Sequence, residues 1–352
     1  MKSYDVVEFR APLQLAERPT PRPAGSEVLL RTLAAGVCHS DIHIWEGEYD
    51  LGGGRKLTVR DRGMVPPFTM GHEIVGQVVA LGPEAEGARI GDRRLVHPWI
   101  GCGDCVVCRK GEEQLCLKPR FLGVFRPGGY SDHLVVPHPR YLIDFGDIPP
   151  EQAAPLACSG VTAYGALRKL GGLVQSEPIV IIGAGGVGLM SLCILKSLGG
   201  RGAIVVEIDE AKREADLRAG AIAAIDVNAP DAVRQITEAA GGTVWGVVDF
   251  VGSGSTVKLA VDCLTKGGKL IVVGLFGGEI TVPTPYIPIK AMTLQGSYTG
   301  SLSELKELID LVRRAPLPYI PVRRRPLAEA TAALTDLKEG KVIGRTVLAP
   351  FL

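Results

Sequence analysis

The stretch "PIVIIGAGGVGLMSLCILKSLGG", residues 178–200, limits what this chain can become more than any other. A short apolar run is followed by glycines at 183, 185 and 188, and then by an apolar run of helical length. G-x-G-x-x-G between a strand and a helix is the pattern of a dinucleotide-binding turn. Gly183 permits the tight turn, Gly185 lets a pyrophosphate approach the backbone, and Gly188 lets helix and strand pack closely. Gly186 and Val187 open the helix, whose free N–H groups face the phosphates. The next strand, "IVVEI", ends at Glu207, nineteen positions after Gly188. A carboxylate there accepts hydrogen bonds from the adenosine ribose and repels a 2′-phosphate, which favours NAD over NADP. Asp209 competes for that role, and a glycine-rich core turn without a ligand is the plainer reading. Residues 178–195 are also 18 uncharged residues in a row, a marginal length for a membrane span. Five of the first eleven are Gly or Pro, which argues against one.

The same alternation continues downstream. "DEAKREADLRAG" reads as a helix, and "WGVVDFVG", "KLIVVGL" and "MTLQGS" read as strands. Near-continuous apolar strands between helices mark a parallel sheet covered on both faces. Ser301 and Glu304 fit a capping box, with a helical stripe of Leu302, Leu305, Leu308, Ile309 and Val312 behind them. Before residue 160 the pattern differs. "VLLRTLAAGV", "EIVGQVVALG", "RRLVHPWI" and "DHLVVP" are short β-like runs separated by turns, as in a barrel-like β domain. The tail "GKVIGRTVLAP" reads as a turn and a strand. A length of 352 residues suits two domains. Net charge is +1, which gives no electrostatic footprint for nucleic acid or a membrane surface. The first 15 residues carry Asp5 and Glu8 and lack a long apolar core, so they do not read as a signal peptide, and a cytoplasmic location is expected.

Eight cysteines in such a chain are ligands or core residues before they are disulfides. Cys102, Cys105, Cys108 and Cys116 follow C-x2-C-x2-C-x7-C. Four thiolates on short turns suit a tetrahedral zinc with no open position, a structural metal. An iron–sulfur cluster and a redox dithiol are the alternatives. Elsewhere Cys38 lies in "GVCHSDIHIWEG", His72 and Glu73 in "GHEIVGQV", and Cys158 in "APLACSGVTAYGAL". Two sulfurs and a nitrogen would hold a second zinc with a fourth position open. Spacing alone is weak support, and buried core thiols with a core histidine are the alternative. Cys193 and Cys263 sit in apolar runs and read as small core residues.

Taken in order, "GVCHSDIH", "GHEIVGQV", "CGDCVVCRKGEEQLC", "CSGVTAYGAL", "GAGGVG" and "GKVIGRTV" resemble the zinc-dependent medium-chain alcohol dehydrogenases over essentially the whole length. The resemblance implies an α/β fold with a GroES-like β-rich catalytic domain from both chain ends, residues 1–159 and 297–352, holding the structural zinc loop near 101–117. A Rossmann domain with a doubly wound parallel sheet, residues 160–296, stands between them. It implies two Zn2+ per chain, a catalytic ion on Cys38, His72 and Cys158 and a structural ion on the four-cysteine loop, together with NAD. Ser40 is then placed beside the reacting hydroxyl, His43 and Thr162 near the nicotinamide, and His39 and Arg345 at the pyrophosphate. Asp41 orients His72, and Glu73 lies behind the metal as a transient ligand. Trp45 and Trp99 line the substrate pocket.

The implied reaction is reversible oxidation of a primary or secondary alcohol, cyclic and aromatic ones included. Ser40 and His43 carry the proton away, the histidine because its pKa lies near neutrality. Polyol and L-threonine dehydrogenases are neighbouring readings, and a non-enzymatic zinc-binding module is the reading from another class. The family also implies a homo-oligomer, dimer or tetramer. One departure stands out. The interval between Cys38 and His72 is long, and "LGGGRKLTVRDRGMVPPF", residues 51–68, carries Arg55, Lys56, Arg60 and Arg62. It reads as a hairpin or lid that covers a larger substrate, binds an anionic one, or extends a subunit contact.

Overall fold

The computed structural model describes residues 1–318 and 320–351. Its β-rich body is built around the strand Val28–Val37, whose residues are buried along almost its whole length. One edge of this strand pairs antiparallel with Glu73–Leu81. The other edge is shared: its first half pairs with His133–Val136 and its second half with Arg345–Ala349. Arg345–Ala349 in turn pairs in parallel with Val322–Pro326. Segments from opposite ends of the chain therefore complete one seven-stranded sheet. The pairing register sets Gly36 opposite Glu73, so Cys38 and His72, the residues just beyond each strand, emerge at the same sheet end.

The second body carries six parallel strands in the order Ala223–Ile225, Ala203–Val206, Ile179–Ile182, Val244–Asp249, Leu264–Val272 and Thr293–Gly296. Strand order reverses beside Ile179–Ile182, and the crevice at such a switch point is where ligands bind in open α/β sheets. The glycine loop leaves this strand and enters the helix Gly186–Ser197. The 18-residue uncharged run thus divides into a strand and a helix. Among the described residues no helix is long and apolar enough to cross a membrane. The helix Leu302–Arg314 starts with the expected capping box, Ser301 with Glu304. Leu305, Leu308, Ile309 and Val312 are buried along its inner face.

The helix Ser159–Leu170 lies between the two bodies. A single apolar cluster runs from Val75, Leu95 and Phe121 through Leu167 and Leu170 into Ile179 and Leu192. The long interval after Cys38 forms a hairpin, Glu48–Gly52 with Arg55–Thr58. Its tip touches the nucleotide-binding body: Arg55 pairs with Glu279 at 2.9 Å, and a Cβ on Gly52 would fall 2.3 Å from Glu279 Cγ. Among the elements that went unread in the sequence are the strand Ala223–Ile225 and the helix Ala232–Ala239. Alanine-rich strands lack the branched and aromatic residues that announce β structure.

Candidate metal centres and dinucleotide site

Cys38 caps the helix His39–Glu46, and Cys158 precedes the helix Ser159–Leu170. With His72 they form a buried cluster whose ligand atoms all lie within 4.8 Å of one another. The two sulfurs are 3.8 Å apart. His72 Nε2 is buried without a hydrogen-bond partner, an expensive state for a ring nitrogen unless something fills it. Two thiols and one imidazole nitrogen converging on one point are the donors zinc takes, and they leave a fourth position for substrate.

A carboxylate organises this cluster from behind. Asp41 is fully buried, and its Oδ1 lies 3.1 Å from His72 Nδ1. Its Oδ2 accepts from the Cys38 backbone N–H at 3.0 Å and from the Tyr130 hydroxyl at 3.1 Å. The residue is both helix cap and histidine support. Such partners fix the ring of a metal-binding histidine. Burial holds the Tyr130 phenol well above its ordinary pKa, so it stays a donor. Tyr130 was not legible in the sequence, because nothing in "GGYSDH" points toward residue 41.

Glu73 lies next to the cluster but outside its ligand set. Its Oε2 accepts from Arg345 at 2.5 Å and its Oε1 from the Ser159 backbone N–H at 3.2 Å. Burial pushes this carboxyl up to about 7, against the pull of Arg345. The close approach needs Gly36, where a Cβ would sit 1.9 Å from Glu73 Oε2. Arg345 is 3% exposed, and its Nη2 also donates to the Val37 carbonyl. Its Nη1 packs against Gly186 at the start of the glycine-loop helix. Arg345 is therefore a buried tie between the two bodies and not a solvated charge.

In the dinucleotide turn Gly183 has φ +91°, a backbone region that favours glycine. A Cβ on Gly188 would strike the Gly183 carbonyl at 1.8 Å, so the helix packs on the strand only with glycine there. A Cβ on Gly185 would meet nothing within 4 Å, which leaves the open approach a pyrophosphate needs. Glu207 stands at the end of Ala203–Val206, with Oε2 accepting from the Ala184 N–H at 2.7 Å. Asp209 is spent as the N-cap of the helix Glu210–Ala219, where it accepts from Lys212, which leaves Glu207 beside the turn.

The four sulfurs of Cys102, Cys105, Cys108 and Cys116 also lie within 4.8 Å of one another. Backbone N–H groups of Cys102 and Lys118 point at Cys116 Sγ, at 3.1 and 3.2 Å. Behind the loop Glu113 accepts from the Gly101 N–H and the Tyr141 hydroxyl and pairs with Arg140. Four thiols in a closed set fit a structural zinc.

A cavity of about 330 Å³ opens beside His72. Ser40, Tyr49, Arg62, Trp99 and Tyr298 line it. The Trp99 ring is 5.3 Å from His72, and its Nε1 donates to the Ala157 carbonyl. His43 is half-buried and stacks on Tyr49 at 4.9 Å; His39 is exposed, with its ring 5.4 Å from that of His43. Thr162 is buried on the helix that follows Cys158. Trp45 departs from expectation. It lies in the core with Ile42 and Leu334, donates to the Ala11 carbonyl at 2.6 Å, and does not line the cavity. Tyr49 and Tyr298, which the sequence did not single out, supply the aromatic wall beside Trp99.

Residues 24–147 match the family model "Alcohol dehydrogenase GroES-like domain", and residues 186–314 match "Zinc-binding dehydrogenase". The chain is 38% identical to an NAD-dependent alcohol dehydrogenase of Sulfurisphaera tokodaii, over 99% of this chain and 100% of the relative. It is 31% identical to a D-arabinose 1-dehydrogenase (NADP(+)) of Saccharolobus solfataricus, over 97% and 96%. Among solved structures, the alcohol dehydrogenase of Aeropyrum pernix superposes with a TM-score of 0.88 at 32% identity, covering 99% of this chain and 100% of that one. Full-length relatives, two cysteine-based clusters and a Rossmann turn converge: the chain belongs to the zinc-dependent medium-chain dehydrogenase/reductase superfamily, as an NAD(H)-linked zinc oxidoreductase related to the alcohol dehydrogenases.

Proposed function

We propose that the protein interconverts an alcohol and its aldehyde or ketone in the cavity beside His72. The observation that carries this reading is the buried Cys38–His72–Cys158 cluster opening on an aromatic-lined space. Zinc at this cluster supplies a Lewis acid for the substrate oxygen, and NAD supplies the hydride acceptor. The chain's own residues do the rest. Asp41 and Tyr130 hold the His72 ring in place. Ser40 lines the cavity and takes the hydroxyl proton. His43 receives it at the cleft, where burial lowers its pKa below the ordinary imidazole value and keeps the ring a ready acceptor. Trp99, Tyr49 and Tyr298 exclude water and press the substrate toward Ser40. Thr162 closes the nicotinamide side and His39 serves the pyrophosphate from the rim, while Arg345, expected there too, is held instead on Glu73 and the Val37 carbonyl behind the glycine-loop helix.

Glu207 supports NAD over NADP, since its carboxylate repels a 2′-phosphate. The supporting experiment is a panel of primary, secondary, cyclic and aromatic alcohols, with polyols and L-threonine, run with both cofactors on zinc-loaded protein. Glu207→Ala should cut the NAD-to-NADP preference about tenfold, and an unchanged ratio would remove Glu207 from the ribose role.

The assignment of residues 1–159 and 297–352 to one domain and 160–296 to the other rests on the shared sheet. A homo-oligomer is supported by the exposed edge strand Thr293–Gly296 with Ile287, Ile289 and Leu294 exposed around it. Light scattering after chromatography tests it, and a mass of one chain would end the idea. Eight free cysteines suit a reducing, cytoplasmic compartment, which localisation of a tagged chain would check.

A further inference from the structure

The basic segment between Cys38 and His72 carries four cations, and three of them face away from the cavity or already have partners. Arg55 pairs with Glu279 at 2.9 Å and Lys56 with Glu48 at 2.6 Å. Arg60 is exposed, over the Phe9 ring. Arg62 differs. It is half-buried and lines the same cavity as Ser40, His72 and Trp99. Its guanidinium sits 5.9 Å from the centre of the Tyr49 ring and 5.4 Å from that of Phe125. No carboxylate among the described residues lies within salt-bridge distance of it. Asp50 also lines the cavity, but it is exposed and its Oδ1 accepts from the Gly52 N–H in the hairpin turn. The Tyr49 phenol, pushed up to about 12 by burial, supplies no anion at neutral pH.

Aromatic faces orient a guanidinium and favour its charge, but they and the neutral Tyr49 hydroxyl supply no counter-ion. A planar fork of that kind matches a carboxylate bidentately. A half-buried cation without a counter-ion can pair with an anionic group on the substrate.

We propose that Arg62 is a specificity-determining residue that receives a carboxylate at the end of the substrate remote from the reacting carbon. The substrate class is then a hydroxy or oxo acid with its carboxylate at the end away from the alcohol or carbonyl carbon. This rests on the dehydrogenase reading above and deepens it.

The experiment compares 4-(hydroxymethyl)benzoate with 4-isopropylbenzyl alcohol, whose isopropyl group matches the carboxylate in shape and heavy-atom count without its charge, on zinc-loaded enzyme with NAD. The ratio of their kcat/KM values should favour the carboxylate. It should fall about tenfold to a hundredfold in Arg62→Leu, and Arg62→Lys should restore part of it. Arg60→Leu, on the same segment outside the cavity, should leave the ratio alone. An unchanged ratio in Arg62→Leu, or an equal fall in Arg60→Leu, overturns the proposal. A binding measurement separates this question from that of the chemistry. Calorimetry of the unreactive probe 4-methylbenzoate on zinc- and NAD-loaded protein should weaken at least about tenfold in Arg62→Leu. Equal binding by both proteins means the carboxylate sits elsewhere and sinks the subsite. Failure to oxidise any alcohol, with Arg62-dependent binding intact, would refute the dehydrogenase reading and leave the subsite standing.

Discussion

The two cysteine clusters use the same ligand chemistry and are built in opposite ways. The four-cysteine set comes from one loop, and two of its four ligands are only half-buried. Its geometry follows from short turns that the loop forms by itself. The Cys38–His72–Cys158 set is fully buried and gathers residues from a strand end, the start of a neighbouring strand and a helix start. Its geometry is a property of the whole fold, through the register that sets Gly36 opposite Glu73. Each has a carboxylate behind it, Glu113 for the loop and Asp41 for the buried set. The loop site is closed by its fourth sulfur, whereas the buried site faces a cavity. On the proposed function, one cluster stabilises and the other reacts.

The same substitution in the two places tests that division. Cys38→Ser should lower turnover with NAD by about a thousandfold or more and halve zinc content, while circular dichroism shows a folded protein. Retained turnover would dissolve the distinction between the clusters. Asp41→Asn should leave the ligands in place but loosen the His72 ring. Zinc affinity, read by chelator competition, should fall about 10–100-fold at the buried site, and an unchanged affinity would mean that Asp41 only caps its helix. Cys108→Ser should have the smallest effect on activity, within about twofold at 25 °C. It should lower the melting temperature by roughly 5 °C or more and open the 101–117 loop to protease. A loss of turnover as large as that of Cys38→Ser, with the fold intact, would show that the loop takes part in the chemistry.

What could be read from sequence follows the same line between local and assembled features. The four-cysteine loop and the glycine turn were legible because their spacing carries their geometry. The ligand set Cys38, His72 and Cys158 was legible only through the family resemblance, since no local pattern joins those positions. Asp41 and Trp45 show how a short helix sorts neighbours. Ser40 lines the cleft, while Asp41 and Trp45, four apart, are both buried. Proximity to Cys38 suggested a pocket wall at Trp45, and helical periodicity sends it the other way. Tyr130 was invisible because its partner is 89 residues distant. The segment after Glu48 was visible as an excess of residues, but which of its four cations faces the cavity depended on how the chain turned.

The strand Val28–Val37 borrows the neighbour beside Cys38 from the far side of the chain: Arg345 reaches the Val37 carbonyl across 308 positions. At about 5–20 residues per second of synthesis, that interval is roughly 15–60 s. Throughout this time the emerging catalytic half lacks its closing strand, the arginine that holds Glu73, and Cys158 for the early part. The sheet around Cys38 can close only once this last strand has been made.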